Sequence, residues 1–415
     1  MSDIKCNPVW NAPGAYQLHK FRVNGEDIDA LELKILLITQ GINVPVVDVY
    51  EQFSRTHRLS PDPLECSCLL LPGNIVVHLT AVGLQSPFNL RLSDRGEAYL
   101  DYNGEFVTEV SFPPATRFYA QQTSSGRPFR GLGVLQGVDI LSFAYLWSCE
   151  YAQTGLACQF CHTGGYTEQL FRVGQRESSF PTPQDVAEVV EYAVNTENVA
   201  KHIQITGGST MNPQAECDRV TAMLNAIDAV TGCDKIPGEI LIYTTPPADP
   251  VLIDDVFAAG ADRVACDIEV WDENLARQIC PGKARLTGRQ RHLDTLQYIA
   301  EKFGPNKACS AFVVGVEPLA SFLAGAEYLA QRGIVPIVSI WMPHGRPVLG
   351  KTEAPSLGYY RQVRDRIAEL YVRYDIEPPG GAGFNVCLCR DTWNHKAEIL
   401  EKKELNFRLS SCKRR

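Results

Sequence analysis

From about residue 137 onward the chain alternates short apolar runs with longer amphipathic stretches, and this rhythm limits the fold more than any other feature. The runs cover residues 138–146, 202–206, 239–244, 262–268, 308–314 and 335–341; helical periodicity fills 183–196, 217–230, 250–259, 289–303 and 320–332. Strands that are apolar along their whole length must be covered on both faces, which is the habit of parallel sheets layered with helices. The expected fold class is therefore α/β, a partial (β/α)6 TIM-like barrel, with an open doubly wound sheet as the structural alternative. In either arrangement chemistry sits at the carboxyl ends of the strands, so the residues just after each run are inspected first.

The region before the barrel reads differently. A helix is expected over about 28–39 and an alternating β-branched strand over 74–82. Two hairpins are expected over 89–112, turning at Ser93-Asp94-Arg95-Gly96 and at Asn103-Gly104, a pair suited to the positive φ values of a type I′ turn. The polar stretch from Gln121 to Pro128 is the best linker candidate. The expected organisation is an N-terminal α+β accessory domain over 1–130, the barrel over 131–350, and a C-terminal extension over 351–415. That extension has a helix at 356–374, a glycine loop at Gly380-Gly381-Ala382-Gly383 and a charged helical tail.

Composition narrows the partners. Hydrophobic residues make up 45% of the 415 and charged residues 21%, as in ordinary globular proteins. Lys and Arg number 39 against 48 Asp and Glu, a net charge of −9 that argues against a surface built to neutralise phosphates. Residues 1–14 lack the apolar core of a secretion signal, and no apolar stretch reaches a clean membrane span, so no membrane partner is expected. A cytoplasmic chain with 14 cysteines is expected to use grouped cysteines as metal ligands or catalysts rather than in disulfides.

One group stands immediately after the first barrel run: Cys149, then eight residues, Cys158-Gln159-Phe160-Cys161 and His162. Three thiolates from one loop can hold three irons of a [4Fe–4S] cluster and leave the fourth iron open. A zinc site completed by His162 is the bland alternative, although adjacent Cys161 and His162 are poorly placed to share one tetrahedral ion.

The loop resembles that of the radical S-adenosylmethionine (radical SAM) superfamily, whose usual C-x3-C-x2-C motif has an aromatic residue before its last cysteine, here Phe160. The first spacing departs from that form, being eight residues here. The resemblance implies that Cys149, Cys158 and Cys161 bind a [4Fe–4S] cluster, that S-adenosylmethionine is the second cofactor, and that a flavodoxin- or ferredoxin-like donor supplies one electron. The 5′-deoxyadenosyl radical so formed is expected to abstract hydrogen from a small-molecule or peptide substrate.

Later strand ends carry the same resemblance, most like the biotin-synthase-like group. Gly207-Gly208-Ser209 is similar to the Gly-Gly-Glu motif that holds the methionyl amino group, with the acid replaced. Asp267 and Glu269, two apart on one strand face, match positions that bind ribose hydroxyls. Glu317, at the end of Gly315-Val316-Glu317, is similar to the acid beside adenine and ribose, one residue short in spacing. Trp341 and Met342 stand where apolar contacts to adenine are expected, and Arg285, Arg289 or Arg291, ahead of Leu293-Asp294-Thr295-Leu296, could take the methionyl carboxylate. A solvated arginine face is the competing reading for each.

Further cysteines leave alternatives open. Cys387 and Cys389 could join Cys412 in an auxiliary iron–sulfur cluster, act as catalytic thiols near the substrate, or be small core residues pointing to opposite faces of a strand. Cys66 and Cys68 read as core, as do Cys217, Cys233, Cys266, Cys280 and Cys309. Two other functions compete: a radical SAM RNA methyltransferase, suggested by Thr163-Gly164 after the last loop cysteine and opposed by the negative charge, and a non-catalytic zinc or iron–sulfur protein.

Overall fold

The computed structural model describes residues 18–44, 52–54, 56–59, 67–79, 85–146, 148–161, 181–344, 348–381 and 386–412. A hairpin of β1 (Lys20–Val23) and β2 (Glu26–Asp29) opens it. The buried helix Ala30–Gln40 follows, started by a capping box in which Asp29 and Glu32 exchange side-chain-to-backbone hydrogen bonds. A second hairpin pairs β3 (Cys68–Leu71) with β4 (Ile75–His78). The expected two hairpins over 89–112 are one meander, β5 (Phe88–Leu92), β6 (Ala98–Tyr102) and β7 (Glu105–Glu109). Its second turn has φ of 52° at Asn103 and 91° at Gly104, as the Asn-Gly pair predicts.

The main sheet has the order β14-β13-β12-β11-β10-β9-β8 and curls into a half-barrel. Six strands are parallel: β9 (Ile140–Leu146), β10 (His202–Gly207), β11 (Ile240–Tyr243), β12 (Arg263–Ala265), β13 (Ala308–Val314) and β14 (Val335–Ile340). The antiparallel β8 (Gly133–Gln136) closes one edge. Each apolar run of the sequence is thus one strand, shortened most in β12, where the regular ladder ends at Ala265 while Cys266 and Glu269 still bond to β13. The helices Pro183–Glu191, Pro213–Val230, Ile253–Ala258, Arg289–Phe303 and Leu319–Ala330 supply the covering layer between strands. Val189, Leu224, Ile299 and Phe322 are fully buried in it, in the same core as the strand residues Ile205, Val264 and Val338.

The flanking regions are fastened to the barrel at residues 121–128 and to each other through buried ion pairs. Residues 121–128, linker-like in composition, dock on helix Pro183–Glu191. There Arg127 Nη1 meets Asp185 Oδ2 at 2.7 Å, and Ser124 binds Glu188 through both its amide and its hydroxyl at 2.6 Å. Arg364, on helix Leu357–Arg373, reaches Asp29 Oδ2 at 2.9 Å and Glu32 Oε1 at 3.3 Å, and Lys34 pairs with Asp391 at 2.6 Å. Buried charges persist only when so paired. Among the described residues, no helix is long and apolar enough to cross a membrane.

Candidate active site

A cavity of about 230 Å³ opens at the carboxyl ends of β9 to β12. The cysteine loop forms one wall. After β9, Cys149 is extended (φ −112°, ψ 115°) and a single helical turn, Glu150–Gln153, follows it. That turn and the bend after it absorb the lengthened spacing, so Cys149, Cys158 and Cys161 all line the cavity together with Phe160. Cys161 N donates to Cys158 O at 3.1 Å, and Gln159 N to Ile279 O at 2.8 Å, which anchors the tip. Burial pushes the Cys158 thiol well above its ordinary pKa in the free protein, so a bound cation is what would favour its thiolate.

The glycine pair seats this loop. A Cβ on Gly208 would lie 2.3 Å from Ser148 O and 2.6 Å from Cys149 Cα, and one on Gly207 would lie 2.6 Å from the Tyr145 ring. Glu150 N donates to Ser209 O at 2.9 Å, and Glu150 Oε2 accepts from Met211 N and Thr210 Oγ1. Gly207, Gly208 and Ser209 all line the cavity.

Polar groups line the same cavity, within electrostatic reach of Cys158. The chain past β12, still paired with β13 through the parallel bridge of Glu269 to Phe312, brings Asp267 and Glu269 to the cavity. Glu269 has φ of +69°, a costly conformation for a non-glycine residue and typical of functional positions. Lys283 Nζ bonds Glu269 Oε1 at 2.7 Å and Asp267 O at 2.9 Å. Burial and repulsion from Glu269 raise the Asp267 pKa to about 6, against the pull of Lys283 and the Ala311 N–H. His292 Nδ1–H donates to Gly288 O at 2.9 Å; burial, then Lys283, depress its pKa to about 3, so the ring is neutral.

The other expected ligand residues lie off these walls. Glu317 spends one oxygen on Trp271 N at 2.9 Å and the other on Asp272 N at 3.0 Å and Ser321 Oγ at 2.6 Å, clamping the chain after Glu269. Arg285 is exposed; Arg291 is half-buried. Arg289 stacks 3.7 Å over the Trp271 ring and pairs with Glu273. Trp341 is buried with its amide on Val314 O, and Met342 is half-buried; neither lines the cavity. Residues the sequence did not single out take their place: Lys283, His292, Thr287, Tyr243, Thr244 and Thr245. Only Pro281-Gly282 before Lys283 hinted at a special turn, and a Cβ on Gly282 would lie 2.7 Å from Leu156 O and from Tyr151 Cβ.

Cys387 and Cys389 meet rather than diverging. Cys387 occupies a single bridge to Ser339, and Cys389 starts a helix, so strand alternation does not apply. Cys412's side chain, His162 and Cys66 lie outside the described residues. Cys217, Cys266, Cys280 and Cys309 are buried in the core. Among the described residues, no three Cys, His, Asp or Glu side chains converge as they would around a single metal ion. A four-iron cube asks something else of its ligands, thiolates at separate corners, and three cysteines spread along one wall fit that demand.

Residues 155–319 match the model of the Radical SAM superfamily. The bacteriochlorophyllide c C-7(1)-hydroxylase of Chlorobaculum limnaeum is 22% identical over 280 residues, covering 65% of this chain and 69% of the relative. Among solved structures, the [FeFe]-hydrogenase maturase HydG aligns over 58% of this chain and 51% of its own, at 13% identity and TM-score 0.40. A radical SAM methyltransferase from Sphaerobacter thermophilus aligns over 74% and 82%, at 15% identity and TM-score 0.39. The chain therefore spans about half the length of HydG.

Proposed function

From the premise that this chain is a radical SAM enzyme, a superfamily whose members bind a [4Fe–4S] cluster and S-adenosylmethionine, we propose that it abstracts hydrogen from a small-molecule or peptide substrate. The cofactor pair supplies one-electron cleavage of the sulfonium and a 5′-deoxyadenosyl radical. Cys149, Cys158 and Cys161 would hold the cluster. The main-chain edge at Gly207–Ser209 and the threonines beyond β11 offer acceptors for an ammonium group. Asp267 and Glu269 offer acceptors for ribose hydroxyls, and Lys283 offers the cavity a cation for a carboxylate.

The observation that carries this reading is the convergence of three loop thiols and the Asp267–Lys283–Glu269 group on one cavity. Enclosure matters as much as ligation, because a primary carbon radical reacts with almost any group it meets. The 22% identity to a hydroxylase supports counting hydroxylation with isomerisation, ring closure, methylation and sulfur insertion among the outcomes to test for.

The test is anaerobic reconstitution followed by reduction with S-adenosylmethionine present. Iron, sulfide and 5′-deoxyadenosine are expected in the wild type, and none of them in Cys158→Ala. Zinc in place of iron, with no cleavage, would sink the proposal. Adding a metabolite pool and following which compound changes mass identifies the substrate.

A further inference from the structure

Glu216, in the first turn of helix Pro213–Val230, is 4% exposed and touches the cavity wall from its protein side. The helix entry is tied to the end of β11: Asn212 Oδ1 accepts from Ala215 N at 3.2 Å, and Thr210 N donates to Thr245 Oγ1 at 3.2 Å. Across that junction Glu216 Oε1 accepts two hydrogen bonds, from Thr244 Oγ1 at 2.5 Å and from Thr245 N at 2.7 Å. Both threonines line the cavity.

The other carboxyl oxygen is an orphan. Glu216 Oε2 is buried without a hydrogen-bond partner, and among the described residues no Lys, Arg or His pairs with the group. Tyr145, on the same wall, spends its hydroxyl hydrogen on Gly208 O at 3.3 Å, and Lys283 is committed to Glu269 and Asp267. A buried acid with neither a donor for one oxygen nor a cation for its charge costs free energy in the empty protein, and burial raises its pKa accordingly. A cation arriving beside Thr244 and Thr245 would lower that cost.

The same bonds set the polarity of the wall. Thr244 gives its hydroxyl hydrogen to Glu216 and Thr245 gives its amide hydrogen, so Thr244 Oγ1 has only lone pairs to offer a ligand. Such a surface takes a positively charged donor and rejects an anion.

We propose that Glu216 is a positioning residue for the ammonium group of S-adenosylmethionine. It fixes Thr244 as an acceptor and supplies counter-charge from behind the wall. This rests on the radical reading above.

The experiment measures equilibrium binding to the reconstituted full chain, by calorimetry, with the cluster oxidised and no reductant present, so that nothing turns over. Two ligands are compared: S-adenosylmethionine and its deaminated analogue, which keeps the sulfonium, carboxylate and adenosine but has hydrogen in place of the ammonium. Glu216→Gln, whose amide oxygen can keep both threonine bonds, is expected to weaken S-adenosylmethionine by about tenfold or more and the analogue by less than about threefold. Its iron content should be unchanged, and the cluster-free variant should melt at the wild-type temperature or above it, because the buried charge is gone. Thr244→Val cuts the link without removing the charge and should reproduce the selective loss. The double variant should lose little more than either single one, as coupled residues do. If Glu216→Gln does not fold, Thr244→Val carries the same comparison. Equal losses for the two ligands, or no loss for S-adenosylmethionine, overturn the proposal. A wild type that takes up no iron, or binds no S-adenosylmethionine, overturns the radical reading instead.

Discussion

Lys283 Nζ lies 2.7 Å from Glu269 Oε1 and joins the chain beyond β12 to the helical turn Lys283–Thr287 at the cavity. The same ammonium reaches Asp267 O at 2.9 Å. Burial alone would drive the proton off Lys283, but Glu269, then Asp267, hold its pKa above the ordinary lysine value. This one cation thus compensates two carboxylates in a protein with a net charge of −9.

Replacing that cation strands its partners. Lys283→Met is expected to destabilise the cluster-free protein at neutral pH by about 3 kcal/mol or more, since removing one member of a buried pair leaves the other unpaired. Urea unfolding followed by circular dichroism measures it. A loss below about 1 kcal/mol would mean that Glu269 and Asp267 are solvated in the free protein.

Asp267→Asn is expected to do the reverse and stabilise the cluster-free protein, by about 1–2 kcal/mol above pH 6. A carboxylate whose folded pKa is raised from 3.8 to about 6 costs stability as pH rises through that window, and the cost is complete above it. The advantage of the variant should therefore shrink as pH falls from 6 towards 3.8, with the amide oxygen still accepting from Ala311 N. A gain independent of pH would contradict the assignment.

Gly208→Ala should separate cluster assembly from folding. Its methyl group would sit 2.3 Å from a backbone oxygen of the cysteine loop, and backbone cannot swing aside as a side-chain tip can. Iron and sulfide incorporation are expected to fall sharply while the far-ultraviolet spectrum is kept. Normal iron content in this variant would show that Cys149 has room to move.

Glu317→Ala is expected to act on stability rather than on cofactor affinity. Its buried carboxylate accepts three hydrogen bonds, two of them from main-chain amides of Trp271 and Asp272, and leaving those donors unpaired costs about 2–4 kcal/mol. Glu317→Gln, which keeps one acceptor, should cost less. Thermal melts order the two, and isothermal binding of S-adenosylmethionine by the reconstituted protein checks that affinity is unchanged. Loss of affinity with normal stability would return Glu317 to the ligand.

Much of the architecture was legible in the residues, because strand and helix periods are local properties. Residues 308–314 and 289–303 coincide with a strand and a helix end to end, and Asn103-Gly104 forms the turn its φ preferences require. Residues 262–268 stay bonded to β13 past the regular ladder, which ends at Ala265: Cys266 N donates to Cys309 O and Glu269, at positive φ, bridges Phe312. The polar segment 121–128 read as a linker because the charges that fasten it, Asp185 and Glu188, lie some 60 residues away, at separations of 58 and 64.

What the sequence by itself determined is the order of strands and helices, the loop of Cys149, Cys158 and Cys161, and the strand ends where ligand chemistry gathers. Only the tertiary structure decided which polar groups face the cavity. It chose Lys283 over Arg285, Arg289 and Arg291, turned Glu317 onto the main chain, and brought the Cys387 and Cys389 sulfurs together. The physical reason is that hydrophobic periodicity is written into neighbouring residues, whereas the partner of a buried charge or thiol is set by packing between segments far apart in the chain.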